Sequence, residues 1–251
     1  MPTTAWLAAA ASSPRRLLSR FLRPDGTRGM PALRRHQLVR LNAAGWASIR
    51  DCNWDADARA CLEYWAGRNL PLVVTQQRGG LPAGAIALGL PAPRRWQRRR
   101  LALQVPVSGV FDFDEFPKPE SVGKLLPQET RDALLTLLDI VSTHGSEMRV
   151  YGSYGWQQVT GLDYLRAESD LDLRMLVQDA HMADLVAETL GSATFARPRL
   201  DGELIFPDGS AVAWREWLAW RSKQADLVLV KRLSGVVMER DALWLKAPHT
   251  C

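Results

Sequence analysis

A chain of 251 residues is long enough to bury a full core and to build one or two domains. With 47% apolar and 24% charged residues it reads as an ordinary soluble globular protein. A net charge of +5 favours acidic partners or phosphates without by itself making a nucleic-acid binder, and no apolar run approaches the roughly 20 residues that span a bilayer, so neither nucleic acid nor membrane is expected as a partner.

Residues 1–29 are rich in Ala, Ser and Arg, with Asp25 as the only acid, which gives them some transit-peptide character. Their charges follow the short apolar stretch Ala5–Ala11 instead of preceding it, so they are not a secretory signal, and Met30 is an alternative first residue. Residues 1–32 are expected to be a poorly ordered extension and stay outside the fold argument.

Residues 33–110 read as a small basic α+β domain. HQLVRL begins as a strand, and Asp51–Asp55 is a turn able to cap a helix. Ala58, Cys61, Leu62 and Trp65 fall on one helical face, and Gly67 and Pro71 end that helix. Leu72–Thr75, Ile86–Leu90 and Leu101–Pro106 read as strands. Between the last two lie Arg94, Arg95, Arg98, Arg99 and Arg100 around Trp96. That stretch is either a solvated basic loop or a site for phosphates or an acidic protein surface, since guanidinium forks match both. Trp96 could stack on a base or anchor the loop. Residues 111–121, with Pro117 and Pro119, read as a linker, and its acids Asp112, Asp114 and Glu115 are set aside because no apolar strand surrounds them. Cys52, Cys61 and Cys251 are an odd count without metal-like spacing, which suits a reducing cytoplasm. His36, His144, His181 and His249 are scattered and form no ligand cluster.

Residues 122–251 form the second domain. Leu134, Leu137, Leu138 and Val141 make a helical stripe ending at His144-Gly145, and Met148–Tyr151 is a strand. Gly152-Ser153 follows it, with a short helix over Trp156–Thr160. A strand from Asp170 to Val177 and a helix through Met182, Leu185, Val186 and Leu190 come next. Residues 197–206 and 211–215 read as a hairpin around Pro207-Asp208-Gly209-Ser210, Trp214, Trp217 and Trp220 open a helix, Asp226–Leu233 is a final strand, and the tail from Lys246 is loose.

The chemistry concentrates in this second domain. Strand side chains have a period of two, so Asp170 and Asp172 point from one face. Paired carboxylates are costly unless a cation lies between them, and hard oxygen ligands suit Mg²⁺, completed by substrate phosphates. Gly152 lets a phosphate approach the backbone and Ser153 adds a hydroxyl. A third carboxylate on a neighbouring strand would complete the metal site or take a proton from an attacking hydroxyl. Asp201 and Glu203 are both candidates for it. Lys231, Arg98 and Arg99 are candidate substrate contacts.

The order strand, Gly152-Ser153, gap, Asp170-Leu171-Asp172-Leu173 resembles the core of the polymerase-β-like nucleotidyltransferase superfamily, with a longer gap between Ser153 and Asp170 than is usual there. RDCNWD at Arg50–Asp55, the arginine-rich stretch before LALQVP, GSYGWQQVTGLDYLRAESDLDL from Gly152 to Leu173, and DGELIFPDGSAVAWREW over Asp201–Trp217 resemble one family within it. That family is the malonate decarboxylase holo-acyl-carrier-protein synthase, or phosphoribosyl-dephospho-CoA transferase. The resemblance implies an α+β protein of two domains, the second a nucleotidyltransferase core with a mixed sheet flanked by helices. It implies transfer of phosphoribosyl-dephospho-CoA from triphosphoribosyl-dephospho-CoA to a serine of the apo acyl-carrier subunit of malonate decarboxylase, with loss of pyrophosphate. Asp170 and Asp172 would hold Mg²⁺, Gly152 and Ser153 would position the leaving phosphates, and Glu203 or Asp201 would orient or deprotonate the serine. The basic first domain would suit an acidic carrier. The citrate lyase carrier is the alternative acceptor, and ATP-dependent modification of a small molecule is the alternative reaction.

Overall fold

A computed structural model describes residues 32–193 and 197–246. The extension expected over residues 1–32 and the loose tail therefore fall almost wholly outside the described residues.

The first domain is built on strands β1 (Leu38–Leu41), β2 (Leu72–Val74), β3 (Ala85–Pro91), β4 (Arg100–Pro106) and β5 (Val110–Asp114), joined in the order β4-β3-β2-β1-β5 with every pair antiparallel. Helices α1 (Ala43–Arg50) and α2 (Ala56–Gly67) follow β1. Strict alternation in β3 and β4 puts Ile86, Leu88, Leu90, Leu101, Leu103 and Val105 in the core and turns the intervening residues the other way. From the helices, Trp46, Ile49, Cys61, Leu62 and Trp65 are buried too. Each side chain of this size adds about 1.5–3 kcal/mol on burial.

Asp55 caps α2 by accepting from the Ala58 N–H at 2.9 Å, as the turn suggests. Helix α1 was not anticipated. Asn42 caps it through the Gly45 N–H, and Gly45 lies so close to Gly109 that a Cβ there would stand 2.4 Å from the Gly109 carbonyl oxygen. The stretch from Phe111 is not a linker at its start. It continues β5, which pairs with β1 and places Asp112 opposite Arg40, whose guanidinium also lies 3.6 Å from Asp114. The linker reading rested on Pro117 and Pro119, which follow the strand, and the strand's acids Asp112 and Asp114 are offset by that arginine. Trp96 is buried and meets Trp65 edge-on at 6.0 Å, so it anchors the arginine loop to α2.

The second domain begins with the short helix α3 (Pro119–Val122) and the long helix α4 (Gln128–Thr143). It continues through β6 (Met148–Val150), α5 (Gly152–Thr160), β7 (Leu171–Leu176), α6 (Ala180–Ser192), β8 (Leu200–Ile205), β9 (Ala211–Ala213), α7 (Trp214–Arg221), β10 (Val228–Lys231) and β11 (Val236–Glu239). The sheet runs β11-β10-β9-β8-β7-β6 and is mixed, with only β7 and β8 parallel. That parallel pair is linked by α6, as a parallel crossover needs. Leu171, Leu173, Met175, Val228 and Val230 share one core with Leu134 and Val141 of α4, Val186 and Leu190 of α6, and Trp217 of α7. The period of two then leaves residues 172, 174, 201, 203 and 231 for the opposite face. That face carries the charges.

Candidate active site

The parallel register sets Asp172 beside Asp201 and Arg174 beside Glu203. Asp172 and Arg174 of β7, set against Asp201 and Glu203 of β8, thus become a carboxylate pair on one rung and an Arg–Glu pair on the next rung of that face. Arg174 is buried and pairs with Glu115 at 2.7 Å. Burial pushes the Asp172 carboxyl up to about 7, helped by the negative charges of Asp201, Asp170 and Glu203.

Asp170 stands just outside β7. Its carboxylate accepts two hydrogen bonds from Arg199, at 3.1 and 2.5 Å, and the same guanidinium lies 3.6 Å from Asp201. The hydrogen bond from Arg199 holds Asp170 below the usual carboxylate range. The Asp170 charge raises the proton affinity of Asp172, but the structure gives the two carboxylates different immediate partners.

Glu203 is the most enclosed acid. Lys231 Nζ lies 2.8 Å from Oε1, Arg35 Nη2 3.5 Å from Oε1, and the His36 ring N–H donates to Oε2 at 2.9 Å. Burial works to raise this carboxyl, but the His36 hydrogen bond and the charges of His36, Arg35 and Lys231 outweigh it and leave Glu203 well below the ordinary range. An acid so held is a poor proton acceptor. Arg35 and His36 belong to the first domain, so this cluster also ties the two domains together. His36 has a left-handed backbone, φ 59°, and its ring lies 4.2 Å from that of Tyr151. The Tyr151 phenol is buried and its proton is held more tightly than usual, first by burial and then by the charges of Glu203, Asp172 and Asp201.

Gly152 opens α5 directly over the carboxylates. Its φ is +60°, and a Cβ there would stand 1.8 Å from Asp172 Oδ2. The preceding Tyr151 N–H donates to the Asp172 carbonyl at 3.0 Å, and no side chain caps the helix. Ser153 is therefore in the first turn, where uncapped N–H groups favour an anion. Gly152→Ala is expected to lower turnover about a hundredfold with the far-UV circular dichroism unchanged, because a displacement of about 1 Å at a reacting group costs that much. Wild-type turnover in this variant would show that the close approach is dispensable.

The remaining expected contacts lie elsewhere. Arg99 forks onto Asp55 at 2.7 and 2.5 Å, and Arg98 donates to the Tyr164 carbonyl at 2.7 Å. These bonds join the two sequence motifs and fasten the 161–169 loop, and they leave neither guanidinium in contact with the carboxylates. Lys231 does reach the site, through Glu203. Arg35, His36, Tyr151 and Arg199 were missed by sequence reasoning. For Arg199 the signal was an arginine two residues before an acidic strand position. For His36 no local signal exists.

Among the described residues no three His, Cys, Asp or Glu side chains already converge as a metal cage. The donor chemistry nonetheless fits a hard divalent cation, because Asp172 is crowded by like charges that such an ion would offset.

A mixed sheet bearing carboxylates on adjacent strands beneath a glycine-started helix suits transfer of a phosphate-bearing group, and the two-domain α+β class is the one expected. The chain belongs to the phosphoribosyl-dephospho-CoA transferase family: the models for the phosphoribosyl-dephospho-CoA transferase MdcG N-terminal and C-terminal domains match residues 34–116 and 119–242. It is 35% identical over 207 residues to the phosphoribosyl-dephospho-CoA transferase of Bradyrhizobium diazoefficiens, covering 81% of this chain and 88% of that one. It is 35% identical over 201 residues to that of Xanthomonas axonopodis pv. citri, covering 78% and 89%, and 31% identical over 189 residues to that of Pseudomonas putida strain W619, covering 74% and 86%. No solved structure matches the chain. The protein is thus a transferase enzyme. Among the described residues no helix is long and apolar enough to cross a membrane.

Proposed function

We propose that this enzyme moves phosphoribosyl-dephospho-CoA from triphosphoribosyl-dephospho-CoA to a serine hydroxyl of the apo acyl-carrier subunit of malonate decarboxylase, releasing pyrophosphate, in the cytoplasm. The observation that carries this reading is the Asp172–Asp201 rung, with Gly152 set against Asp172 at the start of α5. In the transfer, the serine oxygen bonds to the phosphorus nearest the ribose, the bond to the next phosphate breaks, and pyrophosphate leaves with the electron pair. Asp170, Asp172 and Asp201 would hold Mg²⁺, which when bound supplies positive charge against the triphosphate. The Gly152-Ser153 turn binds the leaving phosphates through uncapped N–H groups. Asp201 takes the serine proton, since Glu203 is already committed to Lys231, His36 and Arg35. Tyr151 and the His36–Glu203 pair hold the floor of the site.

The test is mass spectrometry of the apo carrier incubated with enzyme, donor and Mg²⁺, beside an Asp172→Asn control. Addition of the prosthetic group by wild type alone supports the reading. Modification of the citrate lyase carrier, and not of the malonate one, moves the acceptor. Modification of neither carrier sinks the proposal.

A further inference from the structure

The first sheet has one face packed against α1, and among the described residues β3 and β4 turn their intervening, less buried side chains to the other. On that other face β2, β3 and β4 line a cavity of about 700 Å³. Cavities of about 300–1,000 Å³ hold small molecules of cofactor size. Its floor is low. The register places Val73, Gly89 and Ala102 in one row across the three strands, with Ala87 beside Gln104 in the next. A Cβ on Gly89 would stand 2.8 Å from Thr75 Cγ2, so glycine keeps the floor open at its centre.

Two features give the cavity a ligand chemistry. Arg78 and Arg100 both line it, and among the described residues neither has a carboxylate partner, whereas the neighbouring Arg94 and Arg99 are paired with Asp163 and Asp55. Arg78 donates to Gln76 Oε1 at 3.3 Å, and Arg100 stands opposite Pro91 at the far end of β3; guanidiniums without a carboxylate at the edges of an apolar floor fit a ligand that carries phosphate charge on an extended, largely neutral body. The second feature is position. His36 lines the cavity and donates to Glu203 on the carboxylate face, so the cavity reaches the candidate active site at that residue. Inorganic phosphate or a bare triphosphate is far too small to fill this volume.

We propose that this cavity binds the dephospho-CoA portion of the donor, with the guanidiniums of Arg100 and Arg78 at its edges attracting the phosphate charge and the pantetheine and adenosine along the floor of β2–β4. The inference rests on the transfer proposed above, and it gives the first domain a role in donor recognition. The triphosphate would then lie past His36, over Asp172 and Asp201, with the two ends of one donor held by two domains. Fastening a remote part of a substrate in this way contributes binding energy and orientation at the reacting end.

The test is calorimetric titration of the full chain with dephospho-CoA, without acceptor, together with donor kinetics. Ala102→Trp fills the floor from an exposed position on β4, and Arg100→Ala removes one guanidinium without adding bulk. Each should weaken dephospho-CoA binding about tenfold or more and raise donor KM by a similar factor, with far less change in kcat. Wild-type dissociation constants and donor KM in both variants overturn the site, as does a wild-type chain that fails to bind dephospho-CoA at millimolar concentration. Binding that is lost in both variants, in an enzyme that modifies no carrier protein, upholds the site and overturns the transfer reading instead.

Discussion

Asp172→Asn should lower transfer steeply and, at pH 8 without divalent cation, melt at a higher temperature than wild type. The carboxyl of Asp172 is raised to about 7 by burial and by the charges of Asp201, Asp170 and Glu203. In the unfolded chain the same group titrates near 3.9, so between about pH 4 and pH 7 the native state binds the extra proton. Stability therefore falls as pH rises through that window, and the whole cost is present above about pH 7. The span corresponds to about 4 kcal/mol at most, and relaxation of side chains and water should reduce it to about 2 kcal/mol. For a chain of this size that is a rise of about 4–8 °C in the amide variant. The gap should close as pH falls towards 4, and Mg²⁺ should narrow it at pH 8 by stabilising wild type alone. Turnover should fall about a thousandfold or more, close to 4 kcal/mol of barrier. A variant that melts below wild type at pH 8 would mean that the carboxylates are not in conflict, and the case for a cation among them would go with it. A site that trades stability for chemistry behaves in the first way.

The parts of this protein that could be read in the sequence are those fixed by local period. The helical spacing of Leu134, Leu137 and Val141 and the alternation of Leu101, Leu103 and Val105 lead directly to α4 and β4, because each element buries one face of its own. β11 escaped notice because Val236, Val237 and Met238 are all exposed and carry no alternation. β5 escaped because its acids are balanced by Arg40, which lies about seventy residues earlier in the chain. The active site divides the same way. Asp172, Asp201 and Glu203 announce themselves as acids two apart in apolar strands. Their partners do not, since Arg199 meets Asp170 across 29 residues and His36 meets Glu203 across 167. Those pairings exist only once β7 and β8 lie in parallel register and the first domain closes over them. The arginine stretch shows the converse. Its local charge suggests a ligand, but Arg98 and Arg99 are consumed by Tyr164 and Asp55, leaving Arg100 as the member that lines a cavity.

Glu203→Ala is expected to be among the most destabilising single substitutions in the chain, at about 3–5 kcal/mol. Glu203 is buried, with 5% of its surface exposed, and its removal leaves Lys231, Arg35 and His36 facing one another without an anion. Breaking such a cluster from one side costs more than the cluster contributes, because the remaining charges stay desolvated. Lys231→Met on the Glu203→Ala background should therefore recover about 1–3 kcal/mol, the coupling expected of residues in direct contact. Urea unfolding of the four chains of this cycle measures both quantities, and a Glu203→Ala chain as stable as wild type would remove Glu203 as the tie between the domains. The same residue separates the two candidates for the third carboxylate. Glu203→Gln keeps an acceptor for Lys231 and His36, so at a temperature where it is folded its kcat should fall less than tenfold. Asp201→Asn, which removes the proton acceptor beside Asp172, should lower kcat about a thousandfold. If the two effects were reversed, the proton would go to an acid already surrounded by cations, and His36 would have to be its next carrier.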